Sequence, residues 1–515
     1  LTTRFKVRQR DALLIAAACI GVIAYVLIAI RAGGAGFPLD DSWIHQTYGR
    51  NLAQSGQWAF VPNVPSAGST SPLYTVLLAI GYAVRAPYLI WAYALGAAAL
   101  AACGLIGARL AEQLFPETPN VGLFTGLMIV GAWHLVWAAA SGMETALFCA
   151  LGLAVIGFTW RETADTSIAA GVRPAVGRGA IVGVVGGLLT LARPEGAILV
   201  GLCGLLMLIA RPQKTWREYG GWAIGVILGW AITVAPDLLL NYHLNGSLLP
   251  NTSAAKQAEN APLLIPPIWD RLLSILTPLS AGGQLLLIPG FIYALLELGR
   301  RARKDRRLLV YWIAPLWVIT LIVLYAWRLP APYQHGRYVI PALPAFILIG
   351  GTGTLMLAVN VRRVVSQRVL TQVLTITAAL LFALFWLLGG STYARDVRQI
   401  EGDMVTAAQW IAQNVPVDAP LAVHDIGAVG YFAPRPLFDL AGLVSPEVVP
   451  IILDPAALMR AMQARGVRYM MASPPQLPTV SSDPRLCVLY TTPAPDSPIH
   501  MTVYKFAWNG ICLPG

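Results

Sequence analysis

Long apolar runs recur through the first 390 residues, and no other feature limits the possible folds as strongly. Eleven of them, 11–30, 88–111, 121–140, 145–160, 180–192, 197–210, 221–240, 285–298, 308–327, 338–360 and 370–388, read as helices lying in a hydrocarbon core of about 30 Å. A further run, 73–84, makes a helix of only about 18 Å and reads as interfacial or re-entrant. The chain is 57% hydrophobic and 12% charged, far from the roughly 25% charged residues of soluble domains. A polytopic membrane protein is the class these numbers allow.

The formal net charge of +11 could point to nucleic acid, but the basic residues gather in short loops between apolar runs, so the expected partner is a lipid bilayer. Arg4, Lys6, Arg8 and Arg10 precede the first run and place the N-terminus in the cytoplasm. That run has no small-residue cleavage site and reads as an anchor. With 73–84 not crossing, the basic loops 161–178, 211–217, 300–307 and 362–368 all fall on the cytoplasmic side; counting it as a span would put each of them on the wrong side.

The expected architecture is therefore an α-helical polytopic protein of the cell (plasma) membrane, with about 11 transmembrane helices in residues 1–389. The C-terminus lies outside. Residues 390–515 form a small extracytoplasmic α/β domain, with strand-like runs at 421–424, 436–440, 469–472, 486–491 and 501–506 and a helical one at 456–463. Cys487 and Cys512 are the only cysteines away from the apolar runs and are expected to form a disulfide. Cys19, Cys103, Cys149 and Cys203 read as small buried hydrophobes, and no metal-type cysteine spacing occurs.

This topology brings the polar clusters to one face. Asp40 and Asp41 lie side by side in the first external loop, 31–72. Adjacent carboxylates repel, so a cation, a donor or a proton-transfer task must hold them where water thins out; taken alone, the pair could equally cap the helix that begins near Ser42. Glu144, the Arg193-Pro194-Glu195-Gly196 run, Asn251 with Lys256, and His335-Gly336-Arg337-Tyr338 all fall at the outer ends of spans. Any one of these is accounted for by a snorkelling or helix-ending side chain. Four converging on one leaflet are not.

An acid pair among arginines and a lysine at a membrane surface suits a substrate that is part lipid and part phosphate. Arg193, Lys256 and Arg337 would hold the phosphate, the guanidiniums as forks and the lysine as a point charge. Glu144, Glu195, Asn251, His335 and Tyr338 complete the expected substrate-binding set. A carboxylate of the Asp40-Asp41 pair would take the proton of an attacking hydroxyl, or the pair would hold Mg²⁺, Mn²⁺ or Ca²⁺ against the phosphate. Side-by-side acids do not suit a glycosidase, whose carboxyls flank the bond several ångströms apart.

These residues, in order with Thr70-Ser71-Pro72-Leu73-Tyr74, Gly142-Met143-Glu144-Thr145, Leu249-Pro250-Asn251-Thr252 and His424-Asp425-Ile426-Gly427, resemble the GT-C superfamily of polyprenyl-phosphate-sugar glycosyltransferases over almost the whole chain. Within it the chain is most similar to the terminal β-1,2-arabinofuranosyltransferases of cell-wall arabinan and their bacterial relatives, and more distantly to aminoarabinose and protein mannosyl transferases. The resemblance implies a GT-C fold and inverting transfer of a sugar, such as arabinofuranose, from a polyprenyl-phosphate donor to an extracytoplasmic glycan, lipid or protein hydroxyl. It also implies an acid of the first external loop as base, carried over to Asp40 or Asp41, with Asp40 the first choice. His45, His335 and His424 are candidates to support the site residues, but a lone His at a membrane surface is more often structural. Two other functions compete: a transporter or flippase of lipid-linked saccharides, for which Asp237 and Glu195 would be the titratable groups, and a non-catalytic acceptor-binding subunit. Transporter sites lie near the midplane between internal repeats, which this sequence lacks.

Overall fold

The computed structural model describes residues 7–164, 171–212, 215–360, 364–493, 500–510 and 512. Among them, eight helices are long and apolar enough to cross a membrane, and two bent pairs raise the count to ten when each is taken as one crossing. The molecule is a polytopic helical bundle with a small sheet at its C-terminal end. Three expected spans take a different form. Residues 121–140 form α5 (Val121–Gly131) and α6 (Trp133–Ala140), bent by 55°. Residues 285–298 belong to a larger unit, Ile268–Ser280 with Gly283–Lys304, bent by 106° where Pro278 and the Gly282-Gly283 pair interrupt the helix. Residues 197–210 form a helix of 15 residues, Gly196–Ala210, about 22 Å long and so shorter than the hydrocarbon core.

The chain begins with α1 (Val7–Arg31), α2 (Asp41–Ser55), the hairpin β1 (Ala59–Val61) and β2 (Val64–Pro65), and the short α3 (Pro72–Ala83) at the place read as non-crossing. Next come α4 (Tyr88–Leu114), the bent α5–α6 pair, α7 (Thr145–Ala164), α8 (Val172–Ala192), α9 (Gly196–Ala210) and α10 (Trp216–Asn245). α10 opens on a full capping box, with the Thr215 hydroxyl taking the Glu218 amide while the Glu218 carboxylate takes the Thr215 amide. α8 and α10 touch backbone to backbone: a methyl group at Gly179, Gly183 or Gly225 would lie 2.0–2.2 Å from a carbonyl oxygen of the other helix. Without a hydrophobic driving force inside lipid, such small-residue seams are how spanning helices gain packing.

The second half runs through α11 (Asn251–Glu259), α12 (Ile268–Ser280), α13 (Ile288–Lys304), α14 (Ile313–Arg328), a short turn α15 (Tyr333–Gly336), α16 (Leu343–Val359) and the long α17 (Val364–Gln399). α17 runs through residues 389 and 390 without a break and continues as a π-turn into α18 (Thr406–Asn414). Beyond it lie β3 (Leu421–Val423), α19 (Ile426–Phe432), β4 (Leu437–Asp439), α20 (Pro455–Ala464), β5 (Tyr469–Ala472), β6 (Leu486–Thr491) and β7 (Thr502–Phe506). The strands lie in the order β4-β3-β5-β7-β6, parallel from β4 through β5 and antiparallel beyond. Cys487 and Cys512 are bonded, with Cα atoms 5.3 Å apart.

Alternation along these strands fixes how the sheet meets the bundle. Ala422, Phe438, Met470 and Tyr504 pack under α20 with Leu458 and Met462. The opposite side chains, Leu421, Val423, Met471 and Val503, share a core with α18, α19, the first-loop aromatics Trp43, Tyr48 and Phe60, and Tyr74 of α3. Burying each large side chain there contributes about 1.5–3 kcal/mol, which seats the C-terminal unit on the loop that carries the acid pair.

Candidate active site

The end of the bundle nearest the sheet holds a cavity of about 430 Å³. Segments far apart in sequence line it: Asp41 and His45 of α2, Glu144 between α6 and α7, Arg193 and Glu195 between α8 and α9, Thr252 and Lys256 of α11, Tyr325 of α14, and Arg337 and Tyr338 before α16. These positions follow from chain direction. Each lies where a helix enters or leaves the same end of the bundle, whereas the basic 300–307 segment joins α13 to α14 at the other end. The basic loops 161–178, 211–217 and 362–368 fall partly outside the described residues.

In one corner, Asp41 Oδ2 accepts from Lys256 Nζ at 2.8 Å and from Arg337 Nη2 at 2.6 Å. Burial alone would push the Asp41 carboxyl up, but the two cations outweigh it and hold the group well below the usual carboxylate range. Arg337 Nη2 also donates to the Tyr338 hydroxyl at 3.0 Å, with the guanidinium 4.9 Å from the Tyr338 ring. Arg337 is only 6% exposed, and its Nη1 has no hydrogen-bond partner among the described residues. A buried donor of this kind is costly unless a ligand or water completes it.

A second corner is built on Arg193, 8% exposed, whose Nη2 donates to the Tyr325 hydroxyl at 2.7 Å and to Glu195 Oε1 at 3.3 Å. The Tyr325 hydroxyl in turn donates to Glu195. Glu144 is 5% exposed, with one oxygen 3.8 Å from Arg193 Nη1 and the other 3.4 Å from His45 Nε2. Burial raises its carboxyl, but His45 and then Arg193 bring it down to about 2. The Tyr338 ring stands between the corners, its centroid 5.7 Å from the Arg193 guanidinium carbon.

Asp40 lies apart from both. It occupies the N-cap position of α2, but its side chain makes no bond to that helix, and both carboxylate oxygens accept from the start of α19: Oδ2 from the Gly427 amide at 2.6 Å and Oδ1 from the Ala428 amide at 2.8 Å. A Cβ at Gly427 would lie 2.0 Å from the Asp40 carbonyl oxygen, so only glycine permits this approach. Burial and the Asp425 charge push the Asp40 carboxyl up to about 8, against the pull of the two amides. Beside it, His424 bridges Glu259 of α11 at 3.3 Å and Asp425 at 3.4 Å.

This geometry corrects three expectations. Asp40 and Asp41 do not converge on a cation site: both Asp40 oxygens are taken by amides, Asp41 is clamped by two cationic side chains, and no group of three or more metal-binding side chains occurs among the described residues. Mg²⁺, Mn²⁺ or Ca²⁺ does not fit such a donor set. His335 does not line the cavity, because left-handed backbone at Gln334 and His335 turns its ring between Trp133 and Trp137, where Nε2 meets Asp396 at 2.7 Å. Asn251 is also not on the cavity wall and accepts from Asn245 at 3.1 Å. Asp237, offered for a transporter, bonds Asn241 within α10 and is absent from the cavity. Arg193, Glu195, Lys256, Arg337, Tyr338 and Glu144 are brought together as their common face implied. Tyr325 was missed. A hydroxyl within the apolar run 308–327 was its only sequence signal.

A family model described as "Domain of unknown function (DUF8728)" matches residues 393–506. No curated protein matches in sequence. Among solved structures, ArnT from Cupriavidus metallidurans bound to undecaprenyl phosphate superposes with a TM-score of 0.59 at 15% identity, over 96% of this chain and 97% of that one. The oligosaccharyltransferase AglB from Archaeoglobus fulgidus, in complex with an inhibitory peptide and a dolichol-phosphate, gives 0.57 at 11% over 90% and 69%. The mycobacterial arabinofuranosyltransferase AftD gives 0.53 at 14%, over 98% of this chain and 40% of its own length. All three are GT-C glycosyltransferases, and the chain shares their fold.

Proposed function

We propose that this chain is a membrane glycosyltransferase that moves a sugar from a polyprenyl-phosphate donor to an acceptor hydroxyl, with inversion, at the extracytoplasmic face of the cell membrane. The observation that carries the reading is the corner in which Asp41 faces Lys256 and Arg337 inside a cavity at the end of the bundle opposite the 300–307 basic segment. Lys256 and Arg337 would take the donor phosphate, with Arg337 Nη1 already lacking a partner. As those cations turn to the phosphate they release Asp41, whose carboxylate becomes more basic when the two charges holding it down are shared. Asp41 then takes the proton of the acceptor hydroxyl as its oxygen attacks the anomeric carbon. The bond from that carbon to the phosphate oxygen breaks, and polyprenyl phosphate leaves with the electron pair against Lys256 and Arg337. Coupling the base to donor binding protects the donor from water.

Within the fold it shares with ArnT, AglB and AftD, arabinofuranose is the sugar this reading favours, with a cell-envelope glycan as acceptor. Asp41 replaces Asp40 as the base, because Asp40 spends both oxygens on α19. The test is to incubate the purified protein with a polyprenyl-phosphate sugar and an acceptor. Free polyprenyl phosphate should appear with the wild type and not with Asp41→Asn; donor that stays intact with every sugar and acceptor offered would reject the reading.

A further inference from the structure

The two corners of the cavity differ in charge, and the difference sorts the donor's two polar parts. Lys256 and Arg337 against Asp41 leave one net positive charge. Arg193 against Glu144 and Glu195 leaves one net negative charge while the His45 ring, 3.4 Å from Glu144, is neutral. A phosphate is drawn to the first and repelled by the second, although Arg193 belongs to the second. At that second corner Glu195 Oε2 is buried and lacks a hydrogen-bond partner among the described residues, Glu144 Oε2 has only the His45 Nε2 contact at 3.4 Å, and the Glu144 side chain is more than nine-tenths buried. A carboxylate oxygen only accepts, so both leave room for a donor from outside the protein.

We propose that Glu144 and Glu195, held by Arg193, His45 and Tyr325, form a sugar-recognition subsite that accepts hydrogen bonds from the hydroxyls of a neutral sugar and excludes one bearing a carboxylate. This deepens the reading of the cavity as a donor site and rests on it. Arg193 acts within the subsite as a clamp: it binds Glu195 and the Tyr325 hydroxyl, so the carboxylates meet the ligand in a fixed orientation. The Tyr338 ring, with a guanidinium carbon 4.9 Å from its centroid on the phosphate side and one 5.7 Å away on the sugar side, separates the two subsites. A sugar carboxylate would face two like charges in a corner where Glu144 is only 5% exposed, and burial strengthens the repulsion. A neutral sugar gives up only hydrogen bonds to water and regains them from ionised acceptors, the stronger kind.

The experiment compares affinities of the whole protein in lipid nanodiscs for three probes: undecaprenyl phosphate, the same lipid phosphate carrying arabinofuranose, and the same lipid phosphate carrying glucuronic acid. The wild type should bind the arabinofuranosyl lipid more tightly than the bare lipid phosphate, and the glucuronosyl lipid no more tightly than the bare one. Glu144→Gln and Glu195→Gln should each reduce the preference for the neutral sugar by roughly tenfold or more, the loss expected for one charge-assisted hydrogen bond, and leave affinity for bare undecaprenyl phosphate unchanged. If Glu144→Gln does not fold, Glu195→Gln, at the more exposed carboxylate, carries the test. Unchanged sugar preference in the folded variants, or glucuronosyl lipid bound as tightly as the arabinofuranosyl one, overturns the subsite. Failure of the wild type to bind bare undecaprenyl phosphate is a different result: it removes the donor-site reading beneath, and the subsite with it.

Discussion

Asp40 and Asp41 are adjacent in sequence, yet they belong to different regions of the molecule. Asp41 looks into the cavity and is held by side chains, Lys256 and Arg337; Asp40 looks into the joint with the C-terminal unit and is held by backbone, the amides of Gly427 and Ala428. Side-chain cations can move to a competing anion and let their carboxylate go. Backbone amides at the start of a helix cannot leave without the helix. The same residue type is thus held by movable side chains on one side, where we propose it serves as the base, and by fixed backbone on the other, and the neighbours rather than the residue decide which.

The sharpest test of that contrast is turnover. Asp41→Asn keeps the shape and removes the proposed base, so on the proposed mechanism it should lower transfer by about 10² to 10⁴-fold while the protein stays folded and binds donor. Asp40→Asn should retain far more activity. Equal losses in the two, measured as release of polyprenyl phosphate, would break the contrast.

Next in size is an acid-sensitivity prediction from Glu144, a third carboxylate on the cavity side. Its folded pKa, about 2, lies below the ordinary 4.5, so it contributes stability that is fully present above pH 4.5 and is lost as pH falls toward 2. The shift corresponds to about 3 kcal/mol. Thermal unfolding of wild type and Glu144→Gln should therefore differ most near neutral pH and converge in acid; a gap independent of pH would mean that the charge is not what matters there.

Substitution of Arg337 would separate the proposed donor binding from the proposed proton transfer. Arg337→Ala should weaken affinity for polyprenyl phosphate by about 1.5–3 kcal/mol, and Arg337→Lys should keep part of it, because the charge survives and the fork does not. Titration of polyprenyl phosphate decides this, and unchanged affinity in a folded Arg337→Ala would take the residue out of the phosphate corner.

The smallest expected effect is at the joint. Asp40→Ala leaves two buried amides without their acceptor, a loss of about 1–3 kcal/mol that should show as a lower unfolding temperature and faster proteolysis of the segment after Gln399. Wild-type stability in this variant would mean that the amides find other partners and the joint does not depend on Asp40.

What the sequence made legible follows from what side chains announce. Apolar runs give spans, charges at their ends give a shared face, and that face brought Glu144, Arg193, Lys256 and Arg337 to one cavity. The role of Asp40 was hidden because its partners are main-chain amides 387 and 388 residues away, and amides carry no residue signature beyond the glycine at 427. His335 misled for a local reason: left-handed φ at two consecutive non-glycine residues reversed its side chain, and no pattern foretells that. The 106° bend between α12 and α13 was legible in part, through Pro278 and Gly282-Gly283, but the apolar run beginning at 285 outweighed them.

The central claim is that a lipid phosphate takes Lys256 and Arg337 from Asp41 and so frees the base. The most direct measurement is an experimental structure of the protein with polyprenyl phosphate bound. Phosphate oxygens should lie within hydrogen-bond distance of Lys256 Nζ and of the Arg337 guanidinium, including Nη1, with at least one of the two contacts to Asp41 Oδ2 broken and Asp40 still on Gly427 and Ala428. A phosphate bound elsewhere, or one bound while Asp41 keeps both its 2.8 Å and 2.6 Å contacts, would contradict it.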